Sequence, residues 1–184
     1  MSILVTKRDN STELISNEKI KTRLRRLCDI PPKIDANAID LDIIVEKVMR
    51  GSFNGVTTVQ IDKLLAETTA FMNTVSLEYG MIAARIAVSN LHKETSNSWR
   101  DVVEKMYRYV NPVIREPAPI ISDEVYEIIM NNIEELESAI DYSRDYKYDF
   151  FGIKTLEKSY LTRIGKQIVE RPQMMLMRVS VGIH

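Results

Sequence analysis

The sequence predicts a mainly α fold of the α+β class: a small N-terminal β-hairpin over four helices, followed by further helices. Three observations predict it. Apolar residues recur at helical spacing through most of the 184 residues. Two short β-prone runs flank a polar turn near the N terminus. The connections between the first four predicted helices are short, which favours compact antiparallel packing.

The first elements are a hairpin and an amphipathic helix. Residues 3–6 and 12–16 are β-prone and lie on either side of Asp9-Asn10-Ser11, whose aspartate and asparagine tolerate turn geometry. Ser16 stands where an N-cap belongs. The apolar residues after it share one stripe of a helix: Ile20, Leu24, Leu27 and Cys28. Pro31-Pro32 predicts the end of this segment.

Three more helices complete the predicted bundle. The first spans residues 37–50, with Gly51 as its stop. The next begins at residue 57 or 58, after a turn at Asn54-Gly55, and reaches residue 72. The last covers residues 77–93 and faces inward with one apolar stripe: Ile82, Ala83, Ile86, Ala87 and Leu91.

The second half of the chain is predicted to be helical as well. Residues 98–110, 122–131 and 134–140 are predicted helices, and a proline-bearing loop follows the first of them. The run from 141 to 153 interleaves aromatic residues with aspartates, and because carboxylates oppose a phosphate backbone, packing explains it better than base stacking. Pro172 suits the first position of a last helix, which is apolar nearly all round and therefore needs burial on every side.

The composition excludes several classes of function. The net charge is -1, so the chain as a whole has no electrostatic preference for nucleic acid or an anionic membrane. One cysteine, Cys28, excludes an internal disulfide, and its place on an apolar stripe favours a small buried hydrophobe over a reactive thiol. His92 and His184 lack partners at ligand spacing, so we expect no metal site. With no secretion signal and no apolar run long enough to span a bilayer, we expect a cytoplasmic protein.

The basic residues near the N terminus are candidates for an anion site. Lys7 and Arg8 follow the first strand, and Lys19 lies in the first turn of the helix that Ser16 caps. A phosphate group requires clustered cations and backbone donors, and a helix start provides such donors with a partial positive charge. The simpler interpretation is that these charges only solvate the hairpin, as surface charges usually do.

Two acidic residues and a threonine extend this candidate site. Glu13 offers an acceptor suited to an exocyclic amine, and Asp62 offers one suited to a ribose hydroxyl. Thr58 precedes Asp62 by four residues, so the two share a helix face. Together with the cations, these residues are candidates for contacts to a nucleotide, but composition and spacing alone favour the simpler interpretation that the charges solvate the hairpin.

Three stretches carry a family resemblance: Lys7-Arg8-Asp9, residues 82–95 (IAARIAVSNLHKET) and residues 170–184 (ERPQMMLMRVSVGIH). They resemble the N-terminal part of ribonucleotide reductase large subunits, most closely the oxygen-dependent type of eukaryotes and viruses. Residues 138–161 also match this family closely. The resemblance covers nearly the whole chain and is weakest around residues 31–42 and 111–121.

The resemblance implies two domains. Residues 1–93 would be an ATP cone, an allosteric regulatory domain that binds ATP or dATP, and residues 94–184 the N-terminal helical part of the catalytic domain, which is incomplete. The implied effector-binding residues are Lys7, Arg8, Glu13, Asn17, Glu18, Lys19, Ile20, Thr58, Asp62 and Lys93. The family usually has a large apolar residue at the position of Asn17, so this asparagine removes an apolar contact near the base. It usually has glycine at the position of Asn10, a mild departure because asparagine accepts turn geometry.

The resemblance also implies an enzyme to which this chain contributes the regulation. The parent enzyme would reduce ribonucleoside diphosphates to deoxyribonucleotides by cysteine radical chemistry, with a radical from a separate, metal-containing small subunit. Other large subunits would be partners, since the effector acts by changing subunit assembly. One cysteine cannot supply both a thiyl residue and a reducing pair. No catalytic residue is therefore assigned, and the chain alone is expected to be inactive.

Three alternatives belong to other classes. The chain could be a stand-alone nucleotide-binding or assembly module without catalytic activity. It could be a nucleotide-responsive repressor with an ATP cone behind a zinc ribbon, although the sequence lacks the paired cysteines of such a ribbon. It could also be a helical interaction protein whose cone no longer binds nucleotide, for which Asn17 is the one indication.

Overall fold

The computed structural model describes residues 3–183 and divides them into two compact units. The first unit runs to Asn90 and includes Tyr148–Lys154. The second comprises Leu91–Lys147 and the chain from Thr155 onward. Helices dominate the described residues and a small sheet stands at the N terminus, so the predicted fold class is confirmed.

A three-stranded sheet opens the first unit. β1 (Leu4–Thr6) pairs antiparallel with β2 (Thr12–Leu14), which confirms the predicted hairpin. The turn between them places Asn10 at a φ of 65°, in the left-handed region that asparagine tolerates. β1 also pairs in parallel with β3 (Val56–Thr57), a strand too short for sequence alternation to reveal.

Four helices follow in the predicted order: α1 (Asn17–Cys28), α2 (Leu41–Gly51), α3 (Thr58–Phe71) and α4 (Leu77–Glu94). α2 packs against both α1 and α3. The side chain of Ser16 accepts a hydrogen bond from the backbone of Lys19, so the predicted cap of α1 is confirmed. Thr57 and Gln60 form a capping box at the start of α3.

The start of α2 differs from the prediction. The helix begins at Leu41 rather than at residue 37. Asp40 caps it by accepting hydrogen bonds from the backbone of Asp42 at 2.9 Å and of Ile43 at 3.1 Å. The residues before it, Ala36–Ala38, form a separate 3₁₀ turn. A local aspartate cap thus decides the boundary, and helical periodicity alone does not show it.

α4 is buried on most of its surface, and this burial includes an arginine. Arg85 is 2% exposed and donates hydrogen bonds to the carbonyl oxygens of Leu27 at 2.7 Å and Cys28 at 3.2 Å, and also to that of Pro32. It thereby satisfies carbonyl groups at the end of α1, which a helix leaves without internal partners. Desolvation lowers the pKa of Arg85. The contact fixes α1 against α4.

The second half of the chain contributes five more helices: α5 (Trp99–Tyr107), α6 (Asp123–Asn131), α7 (Ile133–Ala139), α8 (Phe150–Ser159) and α9 (Pro172–Ile183). Within the second unit, α6 packs against α5, α7 and α9. The buried side chains of this core include Trp99, Val103, Met106, Ile129 and Met174.

Several details of this half were not predicted. α5 ends at Tyr107 rather than at residue 110. The aromatic run consists of a 3₁₀ helix over Tyr142–Lys147 and the start of α8. A two-stranded hairpin, β4 (Arg163–Ile164) and β5 (Gln167–Ile168), precedes α9. On α9 one face is buried, whereas the apolar side chains of Leu176, Val179 and Ile183 are exposed.

Candidate functional site

The predicted lysines meet the predicted glutamate at the start of α1. Lys7 Nζ lies 2.9 Å and Lys19 Nζ 2.8 Å from the same oxygen, Oε2 of Glu13. Hydrogen bonds from Lys19 and Lys7 hold the pKa of Glu13 below its ordinary value, and the bond to Glu13 raises the pKa of Lys7. The hairpin supplies Lys7 and Glu13, and the cap at Ser16 orients the first turn that carries Lys19. The structure therefore brings these three predicted residues together.

A second cluster forms where β1 leaves the sheet. Because β1 and β3 are parallel, their carboxyl ends lie at the same edge, and Arg8 emerges beside the first turn of α3. Arg8 Nη2 lies 3.2 Å from Oδ2 of Asp62, and Arg8 Nη1 donates to Oγ1 of Thr58 at 3.5 Å. Asp62 is only 5% exposed. Three more predicted residues, Arg8, Thr58 and Asp62, thus form one group.

Arg23 joins this second cluster from α1; the sequence shows it as one of several basic residues near the N terminus, but it was not assigned to the effector site. Its Nη1 donates to Oδ1 of Asp62, and its Nη2 donates to Oδ1 of Asn90 at 2.5 Å and to Oγ of Ser89 at 3.4 Å. The Nε atom of Arg23 is buried and has no hydrogen-bond partner among the described residues. One sequence signal could have indicated it: Arg23 follows Lys19 by four residues, so the two cations share a face of α1.

A cleft of about 350 Å³ lies along this face of α1. Its lining combines three cationic side chains with one acidic and one hydroxyl side chain: Lys19, Arg23 and Arg26, with Glu18 and Thr22. Lys19 also contacts Glu13, and Arg23 also contacts Asp62. The cleft therefore adjoins both clusters. Its positive charge suits an anionic ligand, and the carboxylates beside it can accept hydrogen bonds from the same ligand.

The remaining predicted residues are Asn17, Glu18 and Ile20 on α1 and Lys93 on α4. Asn17 and Glu18 begin α1 and are exposed, and Ile20 is half-buried. Lys93 is exposed in the last turn of α4, in the second unit. The part of these residues in binding stays a prediction.

Cys28 and His92 lie outside this cleft. Cys28 is 3% exposed and desolvation raises the pKa of its thiol, as its place on the apolar stripe of α1 predicted. In the second unit, Nε2 of His92 lies 2.7 Å from Oδ2 of the buried Asp145, and Gln173 donates to the other oxygen of that carboxylate at 3.1 Å. His184 lies outside the described residues.

Neither a metal cluster nor a membrane span is found in the part of the chain that the structure describes. Residues 3–183 contain no group of three or more histidine, cysteine, aspartate or glutamate side chains arranged to hold a metal ion. Among the same residues, no helix combines the length and the apolar character that crossing a bilayer requires.

Comparison with known proteins gives two family matches. Residues 3–94 match the ATP cone domain, and residues 146–184 match the all-alpha domain of ribonucleotide reductase. The first match contains both ion-pair clusters and the cleft.

Individual relatives match along nearly the whole chain. The ribonucleoside-diphosphate reductase large subunit of Dictyostelium discoideum is 53% identical over 98% of this chain, which is 21% of that protein. The large chain of Schizosaccharomyces pombe is 50% identical over 99% of this chain and 22% of its own length. The large subunit of vaccinia virus is 47% identical over 99% of this chain and 23% of its own length. The chain thus spans about a fifth of the length of these curated relatives.

Proposed function

We propose that this chain, which belongs to the ATP-cone family and matches the N-terminal region of ribonucleotide reductase large subunits, is a nucleotide sensor that regulates such a reductase. Residues 1–93 would form the regulatory domain, and residues 94–184 the N-terminal helical part of the catalytic domain. The effector would be ATP or dATP. The match to the ATP cone domain supports a nucleotide ligand, and the ion pairs beside the basic cleft support the proposed role of each residue.

One observation carries this proposal: two carboxylates, each held by two cationic side chains, flank a basic cleft on the first turns of α1. The like charges of Lys19, Arg23 and Arg26 on one face of α1 repel one another and lower the stability of the fold. A polyphosphate would neutralise that charge. The carboxylates supply the acceptors that distinguish a nucleoside from inorganic phosphate.

The proposed roles follow from the chemistry of each side chain. Lys7, Arg8, Lys19 and Lys93 would bind the phosphates, aided by the positive N-terminal end of α1. Glu13 would accept a hydrogen bond from the exocyclic amine of the base.

The remaining predicted residues would contact the ribose and the rest of the base. Asp62, with Thr58 beside it, would accept a hydrogen bond from a ribose hydroxyl. Asn17, Glu18 and Ile20 would line the base side at the start of α1. At Asn17, where the family usually has a large apolar residue, we expect a weaker contact with the base.

The wider setting of this sensor is part of the same proposal. The protein would act with a small subunit that supplies a radical from a metal centre, and with other large subunits, in the cytoplasm. The effector would shift the assembly of these subunits and so control the reduction of ribonucleoside diphosphates. Residues 1–184 contain one cysteine, and it is buried, so we expect no reductase activity from this chain alone.

Calorimetric titration of residues 1–184 with ATP and with dATP tests the sensor. We expect saturable binding that is lost or greatly weakened in Lys7→Ala and Asp62→Ala variants. The matched control is Lys33→Ala, which removes a lysine with 77% side-chain exposure outside the cleft. This control should bind as the unchanged protein does. Absence of heat with both nucleotides would overturn the proposal, as would equal loss of binding in the control variant.

A further inference from the structure

Arg23 connects three helices through one guanidinium group. It leaves α1, contacts Oδ1 of Asp62 in α3, and donates to the side chains of Ser89 and Asn90 in α4. Its side chain is 22% exposed, so most of it is enclosed by these partners. Neither the sequence prediction nor the family matches assign it a role. Arg23 thus links the Asp62 carboxylate to side chains of α4.

The geometry of Asp62 depends on this contact. Arg8, in the turn after β1, contacts Oδ2 of the carboxylate, and Arg23, on α1, contacts Oδ1. A carboxylate has about four acceptor sites, so it can accept from a ligand hydroxyl while it also binds guanidinium groups. The direction in which Asp62 presents its acceptors is therefore fixed by Arg8 on one oxygen and Arg23 on the other.

The hydrogen bonding of Arg23 argues against a purely structural role. Its Nε atom is buried without a partner among the described residues. A buried donor that lacks a partner destabilises a fold, and such groups are uncommon outside functional sites. The orientation that leaves Nε unsatisfied is the one that lets both terminal nitrogens reach Asp62 and Asn90.

We infer that Arg23 is a positioning residue for sugar recognition: anchored by Asn90, it orients the Asp62 carboxylate toward the ribose hydroxyls of the bound nucleotide. This inference rests on the proposed nucleotide site and adds a specific dependence to it. Arg26 provides a contrast, because it also lines the cleft from α1 but has no described contact with Asp62. Arg26 contributes charge for the phosphates, whereas Arg23 contributes discrimination of the sugar.

The test compares ATP with 2′,3′-dideoxyATP, which has the same base and phosphates but lacks both ribose hydroxyls. For residues 1–184 we expect ATP to bind roughly tenfold more tightly, the ratio that one charge-assisted hydrogen bond gives. In Arg23→Gln the ratio should fall close to one. In Arg26→Gln both affinities should fall together, which leaves the ratio unchanged. Arg23→Lys, which can contact only one of the two partners, should keep an intermediate ratio.

A double-mutant cycle separates positioning from simple loss of charge. If Arg23 acts through Asp62, Arg23→Gln should change the ratio no further in an Asp62→Asn background. Thermal unfolding with and without ATP establishes that each variant is folded. Should Arg23→Gln not fold, Asn90→Ala carries the same test, because it removes the second anchor and should also lower the ratio.

The outcomes distinguish this inference from the proposed function. If ATP does not bind at all, the proposed function fails and this inference fails with it. If ATP and dideoxyATP bind equally to the unchanged protein, nucleotide sensing stands and sugar recognition at Asp62 is refuted. If the folded Arg23→Gln variant keeps the full ratio, Asp62 recognises the sugar without Arg23, and the positioning role is refuted.

Discussion

Replacing Asp62 with alanine removes the carboxylate that joins α3 to the hairpin and to α1. The residue is 5% exposed and accepts from Arg8 at 3.2 Å and from Arg23. Removing one partner of a buried ion pair costs about 3–5 kcal/mol, because the remaining charge stays desolvated. Here the side chains of Arg8 and Arg23 are 33% and 22% exposed, so both recover part of their hydration. We therefore expect the free energy of unfolding to fall by about 2 kcal/mol.

Urea unfolding followed by circular dichroism measures this loss directly. In a thermal scan the same loss lowers Tm by about 4–8 °C for a chain of this size. The control is Glu46→Ala, which removes an exposed pair with Arg50, whose side chains are 60% and 78% exposed. Such a pair contributes less than about 0.5 kcal/mol. If Asp62→Ala costs no more than Glu46→Ala, the pair at Asp62 does not behave as a buried one and the reasoning is wrong.

Three further predictions concern titratable groups. Because hydrogen bonds from Lys19 and Lys7 lower the pKa of Glu13, the stability from these pairs is present above the ordinary value of 4.5 and is lost as pH falls through the lowered pKa. A carboxyl NMR titration should show this lowered pKa moving toward the ordinary value in Lys19→Ala, and an unchanged pKa would contradict the contact. The buried thiol of Cys28 should react with a disulfide reagent at pH 8 far more slowly in the folded protein than in urea; equal rates would show that it is accessible. Burial raises the pKa of Tyr142 to about 12, so stability should decline as pH rises from the ordinary value of 10 through about 12. Ultraviolet titration should show a tyrosine that ionises near pH 12 and is missing in Tyr142→Phe, and identical curves for the two proteins would refute this assignment.

The elements that the sequence predicted best are those in which local and tertiary preferences agree. α1 has a serine cap, an apolar stripe and a following Pro-Pro pair, and it is observed over Asn17–Cys28 with Leu24 and Leu27 buried. The hairpin was predictable because the turn residue Asn10 accepts a positive φ. Each signal acts within a few residues, so it can be read without knowledge of the rest of the fold.

The missed elements depend on partners that are distant in the chain. β3 has two residues and exists because β1 pairs with it, some fifty positions earlier in the chain. α8 begins among aromatic residues whose spacing has no clear period, and packing decides its conformation. The hairpin before α9 is equally short, with two residues in each strand. In each case tertiary contact outweighs local propensity.

The arginines of the first unit also differ in how well the sequence predicts them. Arg8 was predicted because it follows a strand and stands beside Lys7, a pattern visible in the sequence. In the sequence, Arg23 and Arg85 look like ordinary solvated residues of a helix. In the structure, Arg23 donates a hydrogen bond to Asp62, and Arg85 is 2% exposed and contacts the end of α1. The buried Arg85 is recognisable only from the backbone carbonyl groups that surround it, whereas Arg23 has one weak signal in the sequence, its position four residues after Lys19.

Arg85 and Arg23 both connect α1 to α4. Arg85 fixes the carboxyl end of α1 against α4 through backbone carbonyl groups, and one turn further along α4 Asn90 holds Arg23, which belongs to the same helix α1. α1 is therefore attached to α4 at two points, one through its backbone and one through a side chain that also reaches Asp62. A shift of α1 along α4 would strain the Arg23 contacts and turn the Asp62 carboxylate. If Asp62 binds the sugar as proposed, the position of α1 affects nucleotide binding through Arg23. We therefore expect Arg85→Lys to weaken ATP binding in a calorimetric titration, although Arg85 does not line the cleft, and an unchanged affinity in the folded variant would contradict this coupling.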